Sequence, residues 1–221
     1  GVDQARDLMN LGDIAAARQL LDGLVPRLKS AAEKLRHEEA VVPLLGEEGQ
    51  AREALRRAQA NAQTAAQAKN ERSVQSFAVL ACEAADVARD ARAVRELCEP
   101  LAANPRLSAR QQADVRRAQA GGAYAAANFA RAVELAEPGW QTNVRSSDRM
   151  GSWASLLVLA AAEKKAGHAE KAQLYRGEID AWLKQFVQDN GRSRVGSFLA
   201  RPSFQPYLRD LGYSEASLSL N

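Results

Sequence analysis

Ala127-Asn128-Phe129-Ala130-Arg131-Ala132 decides the fold, because its pattern of a small residue five positions before an alanine returns along the whole chain. The echoes are Gly12-Asp13-Ile14-Ala15-Ala16-Ala17, Gly49-Gln50-Ala51-Arg52-Glu53-Ala54, Ala88-Arg89-Asp90-Ala91-Arg92-Ala93 and Gly167-His168-Ala169-Glu170-Lys171-Ala172. Their final alanines stand at 17, 54, 93, 132 and 172, giving steps of 37, 39, 39 and 40 residues. A helical period of that length is one hairpin, which cannot bury its apolar face alone and must stack on its neighbours. Residues 91–100 (ARAVRELCEP) and 130–138 (ARAVELAEP) are nearly the same text with one residue inserted, the mark of duplication.

Composition supports helix throughout. Alanine leads, arginine, leucine, glutamate and glutamine follow, and β-branched residues are sparse, a set that loses little entropy on entering a helix. No window alternates long enough for a strand, and no apolar run reaches the length of a membrane span. The start on Gly1 fits a processed chain or a piece of a longer one. The spacing of apolar residues, glycines and prolines predicts helices over 3–11, 14–24, 26–42, 47–69, 71–89, 91–102, 108–126, 128–137, 148–166 and 169–188. In this reading Pro43 and Pro138 each stop a helix, and 139–147 is a long connection. Leu174, Tyr175, Ile179, Trp182, Leu183 and Phe186 face inward from the last long helix. Residues 191–213 carry Phe198, Leu199, Phe204, Tyr207, Leu208 and Leu211 and read as a C-terminal cap of two short helices over the last hairpin. The expected fold class is all-α, an α-solenoid of about five antiparallel helical hairpins in one domain over 1–213. It is less regular at 26–72, and 214–221 form a disordered tail.

The turn followed by an apolar helix and a proline resembles the tetratricopeptide repeat. Ala127, Phe129 and Ala132 match its small, aromatic and alanine positions, as do Gly12, Ile14 and Ala17, while Gly167 and Ala172 match with Ala169 in the aromatic place. The step here is longer by about one helical turn, and the Trp and Leu-Gly positions of the family's first helix are largely missing. The ending from Phe198 to Gly212 is similar to the closing segment of repeat modules attached to bacterial Ser/Thr kinases and membrane-anchored winged-helix regulators. These resemblances imply a helical array that recognises proteins.

Few residues suggest chemistry. His37 precedes Glu38 and Glu39 without a second histidine four residues on, and His168 sits in an interhelix turn. The stretch from Gly191 to Gly196 lacks nucleophile-elbow spacing, and no phosphate loop or GxGxxG is present. We expect no enzyme, no metal site and no cofactor. The net charge of +3 is small, but ten arginines stand against seven acids between Arg89 and Arg149. They are either solvated helix rims or an anion-seeking groove, and the acids mixed among them argue against nucleic acid.

The expected role is non-catalytic protein or peptide recognition on the face built by the first helices of the hairpins, as a scaffold or sensor part of a larger bacterial signalling protein. Arg110, Arg116, Arg117 and Arg149 are its candidate contacts to acceptors. Trp140, Asn143 and Arg145 form a second candidate anchor. The alternative is a small-ligand sensor with an apolar pocket between the aromatic last hairpin and its cap.

Cys82 and Cys98 lie eight residues to either side of Asp90, so an antiparallel hairpin holds them at one height. They are either two small core residues or a disulfide, which needs Cα atoms within about 7 Å where helix axes usually stand about 8–10 Å apart. A bond would argue for a periplasmic or other extracytoplasmic location, and free thiols for a cytoplasmic one. Alkylation without reduction, read by mass, separates the two cases: a bonded pair takes up no alkyl group and a free pair takes two.

Overall fold

The computed structural model describes residues 1–145 and 148–213, so the 214–221 tail and part of the 139–147 connection lie outside the described residues. Ten longer helices form five hairpins: α1 (Val2–Asn10) with α2 (Ile14–Leu24), α3 (Ala31–Glu47) with α4 (Ala51–Gln67), and α5 (Glu71–Val87) with α6 (Ala91–Ala102). The fourth pairs α7 (Ala109–Ala125) with α8 (Phe129–Arg145), and the fifth pairs α9 (Arg149–Lys165) with α10 (Ala169–Asn190). Two short helices follow, α11 (Val195–Leu199) and α12 (Gln205–Leu211). The fold is an all-α solenoid of stacked hairpins.

One turn geometry makes the hairpins. Gly12, Gly49, Arg89, Ala127 and Gly167 all have φ between 57° and 86°. In each case the residue after the left-handed one donates its N–H to the carbonyl five positions before itself: Asp13 to Leu8, Gln50 to Leu45, Asp90 to Ala85, Asn128 to Ala123 and His168 to Glu163. This left-handed closure satisfies carbonyls that the helix end would leave without donors. Asp13, Asp90 and Asn128 then cap the following helix through a side-chain oxygen. Lys69, with φ 55°, makes the same turn between α4 and α5, where Asn70 is the cap. Hairpins two and three are thus joined as tightly as the helices within a hairpin.

Prolines behave differently from the expectation. Pro43 lies inside α3 and Pro138 inside α8, so neither stops its helix, and Pro100 lies inside α6. A proline in a helix interior costs about 3 kcal/mol or more. That is outweighed where both flanks are fixed by packing: Val41, Val42, Leu44 and Leu45 around Pro43, and Ala136, Gly139 and Asn143 around Pro138, are all buried. The third helix starts not at Pro26 but at Ser30, whose hydroxyl and Glu33 form a reciprocal capping box. The predicted helix over 47–69 yields to the repeat register, with Gly49 turning the chain and α4 starting at Ala51.

First helices pack on first helices, α3 on α5, α5 on α7 and α7 on α9, and so line the inner side of the array. Small residues permit that approach. A Cβ on Gly121 would meet the Asp86 carboxylate of α5 at 1.9 Å, and one on Gly122 would meet Val94 of the second helix α6 at 2.6 Å, so α7 closes on both helices of the preceding hairpin. Of the repeat alanines, Ala17, Ala54, Ala132 and Ala172 are buried and Ala93 is partly so. Cys82 and Cys98 are bonded, with Cα atoms 5.4 Å apart in the α5–α6 hairpin. Leu174 points outward at 65 % exposure, because Tyr175, Ile179, Leu183 and Phe186 own the buried stripe of α10.

The C-terminal segment does fold on the last hairpin, where Phe198 meets Trp153, Trp182 and Phe186 with ring centroids 5.6, 5.2 and 4.5 Å apart. It also goes further, returning along the inner side to the first hairpin. Arg201 and Ser203 bond to Glu47 at the end of α3, Arg89 donates to the Tyr207 hydroxyl at 2.8 Å, and Lys164 donates to the Asp210 carbonyl at 2.7 Å. At its far reach the Phe198 backbone lies against Gly12, where an added Cβ would stand 2.7 Å from two backbone atoms.

That closure predicts a difference between two glycines. Gly12→Ala combines a left-handed backbone with a clash and loses about 2–4 kcal/mol in urea unfolding. Gly167→Ala, at φ 86° with nothing within 4 Å, loses only about 1 kcal/mol.

Candidate functional site

The inner side is not empty, since α12 of the returning segment packs there against α9. Between that segment and α3, α5 and α7 remains a cavity of about 190 Å³. Its apolar wall comes from Val42 and Pro43 of α3, Leu80, Ala84 and Val87 of α5, Ala154 and Val158 of α9, and Phe204. Its polar lining alternates in sign: Glu47, Glu83, Asp114 and Asp148 against Arg110, Arg117 and Arg201. Each residue is placed by its repeat position. Glu83 and Asp114 lie on the inner faces of successive first helices, and Asp148 is the N-cap of α9, accepting from the Gly151 N–H at 2.9 Å.

The arginines are already matched. Arg117, 14 % exposed, pairs with Glu83 and lies 3.8 Å from Asp86. Burial works against its charge, and the carboxylates of Glu83, Asp114 and Asp86 outweigh that burial and raise its pKa. Arg110 Nε stands 3.1 Å from Asp148. Arg201 is paired with Glu47 and lies over the Phe204 ring at 4.4 Å. Asp114 alone among the lining acids has neither a hydrogen bond nor an ion pair within 4 Å among the described residues. Burial, then Glu83, pushes it up to about 7, against the pull of Arg117 and Arg110. Behind it, Asp86 is pushed up to about 6 by burial, only partly offset by Arg89 and Arg117.

The predicted contact residues therefore separate. Arg110 and Arg117 meet at the cavity, but both are engaged within the protein. Arg116 is exposed on the other side of α7, with its Cβ against Gly139 of α8. Arg149 pairs with Asp189 on α10 at 3.2 Å, away from the cavity lining. Trp140, Asn143 and Arg145 are on a helix and not in a connection. Trp140 is half-buried with its ring edge-on to Tyr175 at 5.5 Å, Asn143 is fully buried under Ser155 and Gly151, and Arg145 is exposed. The continuous helix turns Asn143 toward α9. The sequence pointed to arginines and passed over Asp114, whose only signal was its place on the inner face of α7 near the cap of α9.

The apolar pocket expected between the last hairpin and its cap is occupied by aromatic packing, with Trp153 and Trp182 stacked at 4.4 Å and Phe204 against Phe198 at 5.4 Å. His37 Nε2 stands 3.0 Å from the Leu21 carbonyl, and His168 pairs with the buried Glu163. No group of three or more His, Cys, Asp or Glu among the described residues could hold a metal ion. No helix among them is long and apolar enough to cross a membrane.

Five hairpins, one repeated left-handed turn and first helices stacked on an inner side are now in view. The fold is an α-solenoid of helical-hairpin repeats. A crystal structure of TPR-like repeats from a Podosopora anserina kinesin light chain is similar to it at 18 % identity, covering 83 % of this chain and 93 % of that one, with a TM-score of 0.49. No protein-family model matches the sequence, and no curated protein matches it either.

The raised carboxylates of the array carry a pH dependence. Asp86 and Asp114 sit above the ordinary carboxylate value in the folded state, so folding binds protons between about pH 4 and about pH 7 and loses stability across that window as pH rises. Asp114→Asn removes one of these charges. We expect it to stabilise the protein at about pH 8 by about 1–3 kcal/mol in urea unfolding, with the gain shrinking toward zero near pH 4.

Proposed function

We propose that the array is a non-catalytic protein-binding module that takes a segment of its partner along the inner side, in the space left between α3, α5, α7 and the returning C-terminal segment. The observation that carries this reading is the cavity itself, where four first helices converge on a lining that combines an apolar wall with paired charges. Such arrays build binding surfaces from side chains at equivalent positions of successive repeats. The protein's own chain already lies against the same side, held by ring packing and by polar contacts from α3, the turn after α5, α7 and α9, which is how a partner segment would be held.

We further propose a scaffold or sensor role within a larger bacterial signalling protein, a single unit over 1–213, and an extracytoplasmic location. The disulfide between Cys82 and Cys98 supports the location, because such bonds persist in oxidising compartments. A small-ligand sensor is the second reading, favoured by the Met150, Ala154 and Val158 side of the cavity meeting Phe204 and Tyr207. At about 190 Å³ the space is below the 300–1,000 Å³ usual for drug-sized ligands but takes one side chain of a segment lying on the inner side, so the peptide reading ranks first.

Selection of random displayed peptides on the immobilised protein tests the first reading. Enriched peptides should lose binding by about tenfold or more to Ala154→Trp, which fills the cavity from α9. They should keep it with Arg116→Glu, on the far side of α7. Enrichment insensitive to Ala154→Trp, or sensitive only to Arg116→Glu, would place binding elsewhere.

A further inference from the structure

The cavity has a sign, and it is opposite to the one the arginine-rich sequence suggests. Three lining arginines face three lining carboxylates in pairs: Arg201 with Glu47, Arg117 with Glu83 and Arg110 with Asp148. The fourth carboxylate, Asp114, faces the same space and has no cation of its own. A charge so placed, with another carboxylate on either side at Glu83 and Asp148, is only partly offset by Arg117 and Arg110, which are paired elsewhere, and is stabilised further by one incoming cation.

The apolar wall narrows the class of that cation. Val42 and Pro43 on one side and Leu80, Ala84 and Val87 on another offer aliphatic contact along the way to Asp114. A small hydrated ion gains nothing from such a wall. A lysine or arginine side chain does, since it carries three or four methylenes behind its charge and lays them on apolar surface. The volume is that of one long side chain and not of a larger ligand. We propose that this cavity is a subsite for one basic side chain of a partner protein, with Asp114 as the carboxylate that receives its charge. This rests on the inner-side binding proposed above and specifies its chemistry.

The paired arginines then have a defined part. They hold Glu83 and Asp148 in place and keep the site from accumulating three uncompensated negative charges, leaving one. They also repel a second cation, so that the subsite admits a single basic residue. Protonation of Asp114 competes with the incoming cation, while Glu83, Asp148, Arg110 and Arg117 face it from α5, from the N-cap of α9 and from α7 itself, so binding is measured at about pH 8.

The test uses capped single residues as probes, Nα-acetyl-arginine amide and Nα-acetyl-lysine amide, titrated into the isotopically labelled whole chain and followed by amide chemical shifts. Saturable shifts centred on α5 and α7 are expected for both. They should weaken by about tenfold for the neutral isostere citrulline amide and by about tenfold in Asp114→Asn, which is expected to fold at least as well as the parent. Four results would overturn the proposal: equal binding of citrulline amide, tighter binding of acetyl-glutamate amide, undiminished binding by Asp114→Asn, or no saturable shift for either cation up to about 50 mM. Putrescine binding more tightly than the capped residues would overturn the assignment to a protein side chain. These outcomes are separable from failure of the broader reading. Displayed peptides that enrich without a basic residue, yet lose binding to Ala154→Trp, would keep the inner-side surface and remove the cation subsite.

Discussion

The contact between Arg201 and Glu47, with the Ser203 hydroxyl on the same carboxylate, spans more than 150 residues and holds the end of the chain to the second hairpin. Both ionic groups are about nine-tenths buried. Bringing two charges out of water largely cancels their attraction, so such a pair adds little net stability, but removing one partner leaves an uncompensated buried charge and costs about 3–5 kcal/mol. Its consequence is direction. The apolar residues Phe198, Phe204, Tyr207 and Leu211 supply the driving force for the segment to dock, and the ion pair selects the place where it does so. Without that placement the inner side would be an open trough, and the small cavity with its ordered charges would not exist.

Charge within this array is organised by proximity across hairpins and not along the sequence. Arg117 finds Glu83 on the preceding first helix, and Arg110 finds Asp148 at the start of the following one. Because α7 approaches α5 so closely, at a point where Gly121 leaves room for Asp86, Arg117 and Glu83 are largely shielded from water. Shielding raises the stakes of every unmatched group. The result is that an arginine-rich stretch yields a neutralised lining with one surplus carboxylate.

How much of this could be read beforehand follows from the range of each interaction. The hairpin turns are local, involving six or seven residues, and Gly12, Gly49, Ala127 and Gly167 announced them with their flanking alanines. Lys69-Asn70 makes the same turn without the glycine or alanine of the others, and the break between the helices expected over 47–69 and 71–89 falls at that corner. Pro43 and Pro138 carry a strong local preference that packing overrode, because that preference is weighed against burial on both flanks, which only the folded neighbours reveal. The helical continuation past Pro138 in turn moved Asn143 from an imagined loop into the core. The return of the C-terminal segment leaves no periodic trace at all. Its aromatic density indicated a cap, but not that the cap would reach Gly12. The cavity inherits that gap, since its fourth wall is the returning segment.

The tie between the Phe198 backbone and the first turn also bears on how such a chain can change over generations. Open solenoids lengthen or shorten readily, since each added hairpin needs only its two neighbours. Here one segment must bridge a fixed distance from the fifth hairpin back to the first. Duplicating or deleting a hairpin would move its anchor points past its reach. The number of repeats is therefore locked by the closing segment, and divergence is confined to the side chains of a frame whose length can no longer drift.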